Sequence, residues 1–195
     1  MKTRMLTLAA ATALALGSFA GCSTTTTNTP SASAADPMAK RQAIDAKVDG
    51  ALSRLYAQDP SSRELVAKAR GVLVFPTIVS AGFVVGGSYG QGALRMRGKT
   101  EQYYSTAAGS VGLLAGAESK AVYILFMTQE ALDKFMASKG WTVGADASVT
   151  VVNVGANAQV DSKTAQQAIV AYVLTNGGLM ANLSLEGTKI TPLAI

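Results

Sequence analysis

Ser110 comes closest in this sequence to a catalytic nucleophile. It lies in Ala108-Gly109-Ser110-Val111-Gly112, which departs from the Gly-x-Ser-x-Gly nucleophile elbow at its first position. Such a serine needs a base beside it, normally histidine, and the 195 residues contain none. Lys120 lies downstream as an alternative base, but no spacing supports a Ser–Lys pair. We therefore predict that the protein is not an enzyme.

Two other kinds of site are also disfavoured. Gly98-Lys99-Thr100 matches the end of a phosphate-binding P-loop, but the first glycine of that motif would fall on Ala93. The following residues, 101–104, favour a strand where the motif requires a helix, so we predict a hairpin turn. One cysteine, no histidine and singly scattered carboxylates predict neither a metal site nor a cofactor.

The single cysteine has a position that explains it. Lys2 and Arg4 precede an apolar stretch, Met5 to Leu16, which is too short to span a bilayer. Phe19-Ala20-Gly21-Cys22 then resembles the bacterial lipobox, in which the cysteine is acylated after cleavage. We predict a signal peptide at 1–21 and a lipid on Cys22. Ser23 favours sorting to the outer membrane, on its periplasmic or cell-surface side.

Composition divides the remaining chain. Residues 22–37 are the lipidated cysteine and a small, polar, low-complexity stretch, which predicts a flexible tether with a reach of roughly 20 Å. Residues 38–195 contain the apolar side chains for one domain. The net charge of +5 falls to +3 without the leader, which is too weak for a dedicated nucleic-acid binder.

Residues 38–57 predict an amphipathic helix. Apolar residues from Ile44 to Leu55 recur at spacings of three and four, and Lys40, Lys47 and Arg54 follow one border of that face at intervals of seven. Asp45 and Asp49 lie on the other border. The helix either packs on the core with solvated edges or also places its basic border against lipid head groups. Ser61 and Glu64 predict a capping box for a short second helix that ends at Gly71.

The apolar pattern changes period from Val72 onward. Short β-like runs predict a mostly antiparallel sheet or partly closed barrel, with one inserted helix between Thr128 and Gly140. The run from Ala93 to Lys99 predicts a strand with Arg95, Arg97 and Lys99 on one face. Asn176-Gly177 predicts a turn between the last two strands. The fold class is therefore α+β, with two N-terminal helices.

Four blocks of this sequence resemble a known family. They are AKARGVLVFP (67–76), AGFVVGGSYGQGAL (81–94), SVGLLAGAESKAVYILFM (110–127) and GLMANLSLEGTKIT (178–191). In this order they are similar to the conserved blocks of the SYLF, or Ysc84-like, domain. The resemblance spans about residues 60–190 and identifies the chain as a bacterial lipoprotein member.

The resemblance implies lipid binding through basic residues and the first helix. By position these are Lys40, Lys47, Arg54, Lys68 and Arg70, to which the strand pattern adds Arg95, Arg97 and Lys99. We carry over affinity for anionic membrane lipids, without the phosphoinositide and actin partners of eukaryotic members. The alternative is a structural or protein-interaction module that contacts another envelope protein. The sequence does not predict an oligomeric state.

Overall fold

The computed structural model describes residues 36–82, 85–111, 116–152, 166–175, 178–179 and 185–195. The predicted signal peptide, Cys22 and nearly all of the predicted tether lie outside these ranges. The predicted turn at Asn176-Gly177 lies outside them as well. Within the described part of the chain, no helix combines the length and apolar character that a membrane crossing requires.

The described elements begin with two helices, continue with four long strands, and end with a third helix and five short strands. They are α1 (Pro37–Gln58), α2 (Ser62–Lys68), β1 (Gly71–Gly82), β2 (Val85–Met96), β3 (Lys99–Val111), β4 (Gly116–Phe126), α3 (Gln129–Ala137), β5 (Trp141–Thr142), β6 (Thr150–Val151), β7 (Ile169–Thr175), β8 (Gly178–Leu179) and β9 (Lys189–Pro192). The predicted α+β class is confirmed, including the two N-terminal helices and the inserted one.

The strands form one strongly curled, open sheet of the half-barrel type. Its order is β5-β9-β3-β2-β1-β4-β7-β6, and β8 pairs with β7. Every named pairing is antiparallel except that of β6 with β7. The hairpin of β1 and β2 therefore lies between β3 and β4, although β3 and β4 follow each other along the chain.

Alternating side chains divide the core into two layers on opposite faces of the sheet. On the α1 face, residues such as Val72, Val74 and Tyr123 pack against the buried side of the two N-terminal helices. On the α3 face, residues such as Leu73 and Ile124 pack against the third helix. Residues 71–76 of β1 and 121–126 of β4 are thus buried on both faces, which explains the nearly continuous apolar runs in those segments.

Helix α1 follows the predicted amphipathic pattern. Asp36 caps its start by accepting a hydrogen bond from the Met38 backbone N–H at 3.0 Å, and Pro37 occupies the first turn. The buried residues of the helix are Ile44, Val48, Ala51 and Leu55. The helix ends before Pro60, as proline directs.

The predicted capping box of α2 is wrong. The Ser61 side chain makes no capping bond; its hydroxyl donates to Asp59 Oδ1 instead, and that oxygen also accepts the Ser61 backbone N–H at 3.0 Å. Glu64 pairs with Lys68 at 2.6 Å. The buried Asp59 carboxylate therefore takes the hydroxyl that the box would have used. Gly71 opens β1 and does not end α2.

The predicted strand from Ala93 to Lys99 is confirmed as far as Met96 and is wrong beyond it, where the hairpin predicted at Gly98 is confirmed. Strand β2 ends at Met96, and Arg97 and Gly98 form the turn with positive φ angles of 51° and 79°. Arg95 pairs with Thr100 and Met96 with Lys99. Side chains of directly opposed residues share a face, so Lys99 lies on the opposite face from Arg95.

Helix α3 and the residues after it complete the α3-face core. Thr128 caps the helix, as predicted, because its hydroxyl accepts the Ala131 N–H at 3.3 Å. Phe135 lies between Tyr104 and Trp141, with ring centroids 4.9 and 5.4 Å apart. The two-residue β5 forms one edge of the sheet beside β9, which pairs with β3, and neither β5 nor β9 was predicted.

Candidate functional site

The basic residues of α1 form one row, as predicted. Lys40, Lys47 and Arg54 recur every seven residues, so they share one border of the helix and are spaced about 10 Å apart along its axis. Lys47 and Arg54 are exposed, and Lys40 is half-buried. We call these three residues the basic row.

Arg54 shows which part of the sheet the basic row faces. Its Nη2 donates to the Pro76 carbonyl oxygen at 3.2 Å, at the point where β1 is irregular. Arg54 also shares a small cavity of about 110 Å³ with Thr77 and Ser119. The basic row therefore borders the segments of β1 and β4 that extend beyond the helix.

On the α1 face, those segments are open to solvent. Val79 is opposite Tyr89 in one direction and Ser119 in the other, and Tyr89 is opposite Ala107, so the four residues form a row across β3, β2, β1 and β4. Val79 is 50% exposed, Tyr89 53% and Val85 72%. We call the exposed α1-face side chains of this region the shelf: Thr77, Val79, Val85, Tyr89, Ala107 and Ser119.

Arg95 has a different environment from the basic row. Its Nη2 lies 2.7 Å from Asp49 Oδ1 and 3.5 Å from Asp45 Oδ1, and its side chain is only 14% exposed. Asp45 also accepts hydrogen bonds from Thr100 and Tyr103. Arg95 therefore neutralises the acidic border of α1 and holds that helix against β2 and β3, which leaves it little capacity to bind a ligand.

A cleft of about 580 Å³ lies along the acidic border of α1. Arg63, Arg95 and Arg97 line it, and the Arg63 guanidinium carbon lies 4.5 Å from the centre of the Tyr56 ring. The cleft faces away from the basic row, because Asp49 and Tyr56 lie on the opposite side of α1 from Lys47 and Arg54.

The structure therefore does not gather the eight predicted basic residues into one patch. Lys68 is exposed and paired with Glu64. Arg70 is exposed, and its backbone N–H donates to the Phe126 carbonyl oxygen at 2.8 Å. Lys99 is exposed on the α3 face beyond the hairpin turn. Lys40, Lys47 and Arg54 share one border of α1, whereas Arg95 and Arg97 line the cleft on its other side.

The shelf was not predicted from the sequence. Apolar residues such as Val79 and Val85 are usually buried, and nothing local in their sequence shows where the covering helix stops. The signal that could have found the shelf is its composition. Between 77 and 91 the chain alternates apolar residues with glycine and serine, which suits a strand covered on neither face by large side chains.

The geometry supports neither a Ser110 nucleophile with Lys120 as its base nor a metal site within the described residues. Ser110 lies in β3 near its end, and the next described element is a strand, whereas a nucleophile elbow leads into a helix. Lys120 lies in β4, which β2 and β1 separate from β3. Within the described ranges, no three residues among Asp, Glu and Cys cluster as metal ligands.

Comparison with protein families gives one match. Residues 107–193 match the Ysc84 family, which is described as "Las17-binding protein actin regulator". These residues belong to a Ysc84 (SYLF) domain. The predicted recognition is confirmed over this range, which includes all of two quoted blocks, 110–127 and 178–191. No protein of the curated collection matches the chain.

The folded unit that contains the matched residues extends beyond them. The match begins inside β3, yet β3 pairs with β2 along its length, and β4 pairs with β1 through ten residues on each strand. Both partner strands precede residue 107, and most of the two blocks quoted from 67–76 and 81–94 lies in them. The sheet therefore joins the matched and unmatched parts of the chain into one structure.

Proposed function

We propose that this Ysc84 domain binds anionic lipid head groups at a membrane surface, without catalysing a reaction. The observation that carries the proposal is the contact of Arg54 with the Pro76 carbonyl, because it puts the basic row beside the exposed shelf. Cations next to solvent-exposed apolar side chains suit the boundary between head groups and acyl chains. The family match by itself indicates that the domain is related to lipid or actin binding.

The magnitudes are those of a weak, reversible contact. Each basic residue near an anionic surface contributes about 1 kcal/mol, so the basic row supplies about 3 kcal/mol. Tyr89, Val79 and Val85 add apolar burial of up to about 1.5–3 kcal/mol for each side chain that inserts fully. The basic row alone is too weak to hold an isolated domain firmly on a membrane, since even a millimolar dissociation constant corresponds to about 4 kcal/mol, and firm binding would require the apolar side chains to insert.

A lipid anchor would make this contact sufficient. Our proposal therefore includes export of the protein, acylation of Cys22 and attachment to the outer membrane on its periplasmic or cell-surface side. A tethered domain is already concentrated at the surface, so each weak contact acts at a high effective concentration. The support for this part is the sequence pattern around Cys22 alone.

Co-sedimentation with vesicles tests the head-group proposal. The chain without residues 1–22 is mixed with vesicles of phosphatidylglycerol and with vesicles of phosphatidylcholine. We expect binding to the anionic vesicles, and at least a tenfold loss when Lys40, Lys47 and Arg54 are all changed to glutamate. A matched control reverses Lys99, Lys134 and Lys139, which changes the net charge equally at exposed sites away from the basic row.

Equal binding to both vesicle types, or no binding to either, would overturn the head-group proposal. An equal loss from the two triple variants would show that net charge alone matters, and would remove the basic row from the proposal.

A second candidate function is protein binding. The observation that favours it is the description of the family as a Las17-binding actin regulator, which names a protein partner of that family. On this reading the shelf contacts another envelope protein. Cross-linking in cells should then recover a partner whose yield falls when Tyr89 is changed to aspartate and is unaffected by reversal of the basic row.

A further inference from the structure

The α3 face of the sheet contains a cavity of about 310 Å³ next to the core. That volume is at the lower end of the range for small-molecule pockets, about 300–1,000 Å³. Its floor consists of apolar side chains that also belong to the α3-face core: Phe75, Ile78, Val122, Ile124, Leu185 and Ile190. An apolar ligand in this space would make dispersion contacts with those core side chains.

Small residues of the neighbouring strands keep the cavity open. Ser80, Ser88 and Ala108 line it from β1, β2 and β3. Gly90 lies on the same face, and a Cβ there would come within 2.8 Å of Ile78 Cγ1 and 2.9 Å of the Thr77 carbonyl oxygen. The neighbouring strand therefore excludes a larger residue at position 90. The close packing of the two strands thus fixes the width of the cavity at this point.

One end of the cavity is polar. Lys120 is half-buried there, and Glu118 lies two residues away on the same face of β4. Burial lowers the pKa of the Lys120 ammonium group, and the charge of Glu118 partly opposes that effect. Glu186 and the hydroxyl groups of Ser80 and Ser88 complete the polar lining. A long apolar floor that ends at an ammonium group matches an amphiphile with an acidic head.

We propose that this cavity binds a single acyl chain of an amphiphile, whose acidic head group pairs with Lys120. The head group is a carboxylate or a phosphate, since both provide the anionic oxygens that an ammonium group recognises. This site lies on the opposite face of the sheet from the basic row. It is therefore independent of docking to an anionic membrane, and either proposal can fail without the other.

Fluorescence of the full-length protein in phosphatidylcholine vesicles tests the site. The probe is cis-parinaric acid, a fluorescent fatty acid that accepts energy from tryptophan. Trp141 is the only tryptophan in the chain and belongs to the same core as the cavity floor. We expect quenching of Trp141 that saturates at one parinaric acid per protein. Competition by unlabelled palmitate and by a lysophosphatidic acid then distinguishes a carboxylate head from a phosphate head.

A matched pair of variants locates the ligand. Ala108→Phe fills the cavity and should weaken parinaric acid binding at least tenfold. Ala137→Phe is the control, because Ala137 is exposed at the end of α3 and belongs neither to the cavity lining nor to the shelf. Ser88→Phe serves as a second blocking variant if Ala108→Phe fails to fold, as judged by thermal unfolding followed by Trp141 emission.

A lysine substitution tests the head group. Lys120→Met should weaken binding of parinaric acid and leave binding of its methyl ester unchanged. Quenching that never saturates, or that is equal in Ala108→Phe and the wild type, would overturn the proposal, because it would show partition into the vesicle alone.

Discussion

Arg95 and Asp49 connect the middle of the sheet to the first helix, with 2.7 Å between Arg95 Nη2 and Asp49 Oδ1. The arginine side chain is nearly buried, whereas that of Asp49 is 68% exposed. Asp45 lies 3.5 Å from the same nitrogen and is also bound by two hydroxyl groups. The pair therefore orients α1 on the sheet, and with it the basic row on the far side of the helix.

Replacing Arg95 should destabilise the domain. We expect Arg95→Met to lower the free energy of unfolding by about 1–3 kcal/mol, because Asp45 keeps its hydroxyl partners but loses its counter-charge. Urea unfolding followed by Trp141 fluorescence measures the loss. Lys68→Met is the control, because the Lys68–Glu64 pair is exposed to solvent and should contribute far less. Equal losses would mean that the Arg95 pair has no special structural role.

Gly92 should tolerate no side chain. It lies opposite the irregular stretch of β1 between Val74 and Thr77, and a Cβ there would be 2.0 Å from the Val74 carbonyl oxygen. We expect Gly92→Ala to cost at least about 3 kcal/mol, since backbone must move to relieve the overlap. Gly109→Ala is the control, because nothing lies within 4 Å of its Cβ position. Thermal unfolding of the two variants gives the comparison, and similar melting temperatures would contradict it.

Stability should fall in strongly alkaline solution. Burial raises the pKa of Tyr104 and of Tyr123 to about 12, from 10.0. A raised tyrosine pKa means that the folded state favours the neutral phenol. The stability that the folded state gains from keeping these phenols neutral is therefore fully present below pH 10, and it is lost as the pH rises from 10 to 12. Each tyrosine accounts for roughly 2–3 kcal/mol over that interval.

Urea titrations at pH 9, 10 and 11 test the alkaline effect. Tyr123→Phe is the informative variant, since it removes both the ionisation and the hydrogen bond to the Ala51 carbonyl oxygen, 2.8 Å away. The variant should be less stable than the wild type at pH 8 and should lose stability less steeply above pH 10. Parallel slopes for the two proteins would contradict the assignment of the effect to Tyr123.

Salt and side-chain size should affect membrane binding separately. Binding to anionic vesicles should weaken several-fold between 0.05 and 0.3 M salt, because screening acts on the exposed basic row. Val79→Ser combined with Tyr89→Ser should weaken binding at every salt concentration and leave the salt dependence unchanged. A flat response to salt in the wild type would indicate that cations do not drive the contact.

The helices could be predicted from the sequence because their signals are local. The buried side of α1 and the basic row follow from the spacing of residues within one segment, and Thr128 is a cap that needs only the next three residues. Arg95 shows the limit of such signals. The strand alternation placed it with Arg97 and Lys99, but its partner Asp49 is 46 residues earlier in the chain, and the turn at Arg97 interrupts the alternation.

The shelf and the cavity could not be predicted for a related reason. Val79 and Ile78 are neighbours in one apolar run, yet Val79 is half exposed and Ile78 is part of the core. Which of them is covered depends on where α1 crosses the sheet and on the bulge in β1. Both depend on pairings between distant segments, and a run of residues with high strand propensity contains no information about them.

The position of the β1–β2 hairpin between β3 and β4 has a consequence for how the chain can be divided. A fragment that begins at residue 107 would lack both central strands, so β4 would keep β7 on one side and have an unpaired edge on the other. Unpaired edges recruit other chains. Such a fragment should therefore self-associate, and the smallest unit that can be inherited, transplanted or expressed intact starts ahead of β1.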